Sequence, residues 1–208
     1  MRAYILNKPP GCITAARDFA DRPTVYDHVP THFPRLPHVG RLDYASEGLL
    51  LFTDDGRLQQ GLLDKNFVPD RAPVEKVYRV KVRDRLEPDD PRIARMTLPL
   101  DYPGKPPTTP AHVAFGELRT RATWLEVTIT EGRHHQVRHL CARSGFPVLK
   151  LRRVRLGPLE LGPLKLRWCR PVTAAEWAAL YACALPGEEP PALEPLDDSE
   201  VARAERPR

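Results

Sequence analysis

The sequence predicts an α+β fold, strand-rich, with its packed part over residues 1–185. Three observations predict it. Several short apolar runs have strand length and either alternate with polar residues or stop at turn residues. Between them lie a few stretches in which apolar residues recur at helical spacing. Proline occupies 24 of 208 positions and is spread through the connections, so the loops are stiff rather than flexible.

The elements follow in order along the chain. Tyr4-Ile5-Leu6-Asn7 is a short strand closed by Pro9-Pro10-Gly11, and Gly48 to Thr53 is an apolar run that stops at the turn signature Asp54-Asp55-Gly56. From Arg57 to Leu63, the residues Leu58, Leu62 and Leu63 fall on one side of a helix. Val77 to Val82 alternates apolar and polar positions, as a strand with one wet face should. A helix is expected from Pro88 to Met96, then strands at His112 to Phe115 and Trp124 to Ile129, the second alternating through Leu125, Val127 and Ile129. Gln136 to Ala142 reads as a helix with Val137, Leu140 and Cys141 on one side. Strands return at Val148 to Leu151 and Leu159 to Leu161, with Gly157-Pro158 and Gly162-Pro163 marking turns. The last helix starts at Thr173, whose hydroxyl and the Glu176 carboxylate form a capping box, and Trp177, Leu180 and Tyr181 pack it down. Two subdomains joined near Val68 to Pro73 fit this order. After Leu185 the composition turns to Pro, Glu, Asp and Ala, so residues 186–208 are expected to form a disordered acidic tail.

Composition narrows the function classes. The longest apolar run near the start, Ala3 to Leu6, is far short of a membrane span, and no signal peptide is predicted. Cys12, Cys141, Cys169 and Cys183 form no C-x-x-C pair, so neither a zinc knuckle nor a disulfide framework is suggested, and a reducing cytoplasm is the expected setting. The net charge of +5 conceals a pattern: residues 133–170 hold ten basic side chains and one acidic, whereas residues 171–208 hold three basic and eight acidic. Of the 32 basic residues 25 are arginine, whose planar fork suits phosphate and stacks on bases. That concentration points to nucleic acid, with a solvated basic face as the alternative.

The most specific run is Gly40-Arg41-Leu42-Asp43-Tyr44-Ala45-Ser46-Glu47-Gly48, continuing as Leu49-Leu50-Leu51-Phe52-Thr53-Asp54-Asp55-Gly56. An acid just before a buried strand, between two glycines, stands where a side chain projects from a rigid support. Asn7-Lys8-Pro9-Pro10-Gly11, Lys76-Val77-Tyr78-Arg79-Val80 and Glu131-Gly132-Arg133-His134-His135-Gln136-Val137-Arg138 accompany it. On these four stretches the chain, over residues 3–182, resembles the RsuA/RluB/RluE/RluF family of pseudouridine synthases. Many members carry an N-terminal S4-type RNA-binding module. This sequence starts directly with the catalytic part, which resembles the RluE type.

The resemblance implies a pseudouridine synthase fold, a mixed and mostly antiparallel sheet flanked by helices with the active-site cleft across its middle. It implies Asp43 as the catalytic nucleophile, with Tyr78 and Arg138 as its catalytic companions. The enzyme of such a family breaks the C1′–N1 bond of a uridine, turns the base and rejoins it through C5, with no cofactor and no metal. A carboxylate serves either by attacking C1′ or by removing a sugar proton, and the sequence does not separate the two. Arg138 would pair with Asp43 and keep it ionised, and Tyr78 would stack on the uracil and help remove the C5 proton, its alternative being an ordinary core tyrosine. Arg41, Arg133, Gln136, Arg143, Lys150, Arg152, Arg153 and Arg155 are the expected substrate-binding residues, because a uridine drawn from its stack requires a grip on the flanking backbone.

His134, His135 and His139 raise a metal-site alternative, but no intervening acid or third-ligand signal accompanies them, and hydrogen bonding to RNA or backbone fits better. His134-His135 is also where this chain differs from many relatives, which often have Asn-Arg or Tyr-His. The expected partner is ribosomal RNA, 23S first and 16S or tRNA next, free or in an assembling particle, acted on by a monomer. A catalytically silent rRNA-binding assembly factor is the competing class.

Overall fold

The structure, a computed structural model, describes residues 1–196. The fold is α+β, a mixed sheet flanked by helices. In chain order its elements are β1 (Ala3–Lys8), β2 (Glu47–Thr53), α1 (Gly56–Leu63), β3 (Lys76–Val82), α2 (Pro91–Thr97), β4 (His112–Arg119), β5 (Ala122–Ile129), α3 (Gln136–Arg143), β6 (Val148–Leu156), β7 (Leu159–Glu160), β8 (Cys169–Pro171) and α4 (Ala174–Ala184), with a 3-10 turn at Val25–His28. The chain divides into two compact units, the first formed by Met1–Val74 and the chain from Arg155, the second by Glu75–Val154.

In the first unit β1 lies between β2 and β8, antiparallel to both, with Ile5 opposite Leu51 on one side and Arg170 on the other. Both β1 and β2 are buried along their whole length, which is why they read as continuous apolar runs rather than alternating ones. Ile5, Leu49 and Leu51 pack with Leu58 and Leu62 of α1 and with Trp177 and Leu180 of α4. Tyr4 and Phe52 lie on the opposite face of the same strands and stack at 4.8 Å. Asp55 caps α1 by accepting from the Leu58 amide at 2.9 Å, and its second oxygen accepts from the Tyr181 hydroxyl of α4. Gly61 is where α1 meets α4: a Cβ there would stand 2.9 Å from the Ala184 carbonyl oxygen. The Thr173–Glu176 capping box is present, with both halves formed.

In the second unit β5 lies between β3 and β4, with Val127 opposite Tyr78 on one side and Val113 on the other. The alternation of Leu125, Val127 and Ile129 places all three in the core. Helices α2 and α3 pack together. The former starts at Pro91 rather than Pro88, because Asp90 accepts from the Arg92 amide at 2.9 Å and Pro91 occupies the first helical position, where no amide is needed.

The expected tail needs a correction over its first part. Residues 186–196 are tied to the first unit: the Trp177 indole donates to the Pro191 carbonyl at 2.9 Å, the chain's N-terminal ammonium donates to Ala192 at 2.7 Å, and the Glu194 amide donates to Met1 at 2.7 Å. Arg57 pairs with Glu188 at 2.6 Å, and Leu193 packs against the core. Pro186, Pro190, Pro191 and Pro195 stiffen the segment and lack amides to satisfy, so a few bonds hold it. The part of the expected tail from residue 197 lies outside the described residues. Truncation after Leu185 is therefore expected to cost about 2 kcal/mol, roughly 4–8 °C in Tm, since it leaves the buried indole without its acceptor. An unchanged thermal melt would contradict this.

Candidate active site

In the first unit, Asp43 sits on the loop that leads into β2. Gly40, at φ 66°, and Gly48, at φ 110°, both take backbone conformations that L side chains disfavour, and between them the loop is tied at Leu42, Asp43, Tyr44 and Ser46. Lys8, at the end of β1, is wholly buried, and its ammonium donates to the carbonyls of Pro9 at 3.0 Å, Asp43 at 3.1 Å and Ser46 at 2.8 Å. Three donors meet three acceptors. Burial pushes the Lys8 ammonium below its usual range, with Cys12, Asp43 and Glu47 acting in the opposite direction. The Thr14 hydroxyl donates to the Leu42 carbonyl at 2.8 Å and accepts from the Leu42 amide at 3.2 Å. The Gly11 amide donates to Tyr44 at 2.8 Å.

These bonds hold the backbone on both sides of Asp43 and leave its side chain half-buried, with the Ser46 hydroxyl 3.4 Å from Oδ2. A carboxylate on so fixed a support is pre-aimed, as nucleophilic or proton-transfer chemistry requires. Arg41, on the same loop, is exposed. Lys8 was missed as a functional residue by sequence reasoning. Its signal is a lysine at the end of a strand that opens with the apolar run Ala3 to Leu6, followed at once by Pro-Pro-Gly.

In the second unit, Tyr78 stands on β3 with 8% of its surface exposed, and Arg138 is half-buried on α3. Gln136, the first residue of α3, is buried, and its side-chain Oε1 accepts from the Arg133 amide at 3.1 Å. Among the described residues, no group of three or more His, Cys, Asp or Glu is placed to hold a metal ion.

Two of the arginines expected to grip RNA make bonds within the protein, and a third is buried. Arg133 pairs with Glu131 at 2.8 Å, donates to the carbonyls of Pro106 at 2.5 Å and Pro107 at 3.3 Å, and lies 5.2 Å above the Tyr102 ring. It latches the proline-rich 102–107 loop to the start of α3. Burial works to raise the Glu131 carboxyl, but hydrogen bonds from Thr109 and Arg133 outweigh it and hold the group below its usual range. Arg143 donates to the carbonyls of Pro99 at 2.5 Å and of Arg95 and Leu98, each at 2.6 Å, and so closes the C-terminal end of α2. Arg153 is 3% exposed, too deep for a surface phosphate contact. Lys150, Arg152 and Arg155 are half-buried on β6, which runs to Leu156 rather than stopping at Leu151, and Arg155 also donates to Gly157 at 3.2 Å. Charge counted along a sequence does not tell which guanidinium forks are taken up by carbonyl groups.

Replacing Arg143 with alanine is accordingly expected to destabilise the fold by about 0.5–1.5 kcal/mol, by removing the donor to three helix-end carbonyls that water then solvates, and to leave RNA affinity unchanged. Thermal melting and salt-dependent RNA binding check both halves. A salt slope smaller by about one would return Arg143 to the RNA.

The chain belongs to the RNA pseudouridylate synthase family, whose model matches residues 2–143, and is thus an RNA pseudouridine synthase, an isomerase. It is 38% identical over 181 residues to the ribosomal large subunit pseudouridine synthase E of Xanthomonas campestris pv. campestris, covering 77% of this chain and 90% of that one. It is 32% identical over 181 residues to the ribosomal large subunit pseudouridine synthase B of Bacillus subtilis, covering 87% of this chain and 72% of that one. A crystal structure of a pseudouridylate synthase superposes with a TM-score of 0.70 at 32% identity, over 86% of this chain and 73% of that one.

Proposed function

We propose that this protein converts a specific uridine of 23S rRNA to pseudouridine, acting as a cytoplasmic monomer, with Asp43 working at the ribose, Tyr78 against the uracil and Arg138 supplying the positive charge that keeps the carboxylate ionised. The observation that carries the chemistry is the loop around Asp43, whose main chain is tied by Lys8, Gly11 and Thr14 while its carboxylate stays partly open. The large-subunit assignment draws its support from relatives named ribosomal large subunit pseudouridine synthases. In the reaction the C1′–N1 bond breaks, a C1′–C5 bond forms, a proton leaves C5 and N1 gains one, so no oxidant, reductant or water is consumed. The small exposed edge of Tyr78 suits a base already drawn out of its stack. Arg41, which is exposed, and Lys150, Arg152 and Arg155, which are half-buried along β6, meet the RNA backbone.

Carbodiimide mapping of pseudouridine in both rRNAs, from cells with and without the gene, tests the assignment. The expected result is one large-subunit site that disappears with the gene and returns with the wild-type sequence. A missing 16S or tRNA site would overturn the substrate and keep the chemistry. No missing site in any of the three would favour a silent rRNA-binding protein.

A further inference from the structure

Three histidines stand within six residues at the entry to α3, and none of them has a part in the chemistry above. Their geometry discriminates between two uses. A metal site needs imidazole nitrogens converging on one point, whereas a stacking site needs ring faces laid parallel. The His134 and His135 rings stack, with centroids 3.8 Å apart and planes 22° from parallel. His139 meets His135 edge to face at 6.1 Å, and Tyr102 lies 5.8 Å beyond His139 at 34°. The rings form a continuous aromatic surface, with neighbouring faces and edges in contact.

Backbone and loop bonds hold this surface in place. His135 has a left-handed φ of 55°, uncommon outside glycine, and that turn brings the two successive imidazoles face to face. The Tyr102 hydroxyl donates to the His134 carbonyl at 3.1 Å, and the Arg133 guanidinium covers the Tyr102 ring while anchored to Glu131. His134 and His139 are nevertheless exposed. An exposed ring backed by a second ring, on a scaffold that has already lost its freedom, favours one more planar partner at low entropic cost.

We propose that His134, His135, His139 and Tyr102 form a stacking platform for an unpaired nucleobase of the substrate RNA, flanking the target uridine. The proposal rests on the RNA-modifying role argued above. A flat π-face suits a base, and base–aromatic stacking tolerates any of the four, so the platform adds grip and position rather than a sequence code.

The test uses the full chain and its His134→Ala, His134→Phe and His134→Lys variants. Two probes serve: unmodified 23S rRNA for the kinetics of pseudouridine formation, and a short oligouridine with a central 2-aminopurine for stacking. Alanine and lysine are expected to raise KM and weaken oligouridine binding about tenfold, to abolish the quenching of 2-aminopurine and to leave kcat within about twofold. Phenylalanine is expected to stay within about twofold of wild type in every readout, because it keeps the ring. An alanine variant equal to wild type would overturn the platform. So would a lysine variant that binds while the phenylalanine variant does not, since the contact would then be with a phosphate or an acidic protein. If the wild-type chain quenches 2-aminopurine but modifies no rRNA, the catalytic assignment fails and the platform stands; absent quenching sinks the platform whatever the activity.

Discussion

Asp43→Asn is expected to lower pseudouridine formation by at least about a thousandfold while the thermal melt is kept and RNA affinity stays within about twofold. The separation follows from which atoms hold the loop. Lys8 and the Ser46 amide bond to the carbonyl oxygen of Asp43, not to its carboxylate, and an asparagine side chain can still accept from the Ser46 hydroxyl. The loop therefore keeps its shape. What is lost is the negative charge, and an amide neither attacks C1′ nor removes a sugar proton at useful rates. Product formation on 23S rRNA, measured alongside binding, checks both halves. Near-normal turnover in the variant would remove Asp43 from the chemistry.

The second large effect lies one strand away. Lys8→Met keeps the unbranched apolar stem, one atom shorter, but leaves the carbonyls of Pro9, Asp43 and Ser46 without their donor. The expected cost is about 3–5 kcal/mol, seen as a Tm lowered by roughly 6–20 °C. Turnover should fall about a hundredfold at temperatures where the variant is folded, because a shift of the Asp43 loop by an ångström spoils its aim. Calorimetry and single-turnover kinetics measure the two effects. The pair of variants is diagnostic: Asp43→Asn loses chemistry alone, whereas Lys8→Met loses stability and chemistry together. A Lys8→Met protein with wild-type Tm would show that the ammonium does not hold the loop.

Much of the fold was legible because local signals and tertiary packing agree. The apolar runs of β1 and β2, the alternation of β5 and the Thr173–Glu176 capping box each lead to the element observed. Elements that depend on what the rest of the chain leaves open were not legible. β8 is three residues long and exists because β1 offers it an edge. Residues 186–196 have a disorder-like composition, yet they pack because a tryptophan on α4 needs an acceptor and the N-terminal ammonium lies beside them.

The site divides the same way. Asp43, with its flanking glycines, stands out in sequence, and so does the charge-rich segment that follows residue 132. The direction of each guanidinium does not. Arg133 and Arg143 are turned onto proline-loop and helix-end carbonyls, and Arg153 is buried. The stacking of His134 on His135 depends on one left-handed φ angle, which residue types alone do not reveal.

If Asp43 isomerises a uridine of 23S rRNA as proposed, release of hydrogen from C5 reports that event directly. The measurement is tritium release from unmodified 23S rRNA labelled at uridine C5, incubated with the purified wild-type chain and with Asp43→Asn. Release that plateaus at one tritium per rRNA molecule is expected for wild type, and none above background for the variant. Equal release from both proteins, or none from wild type on 23S rRNA, would contradict it.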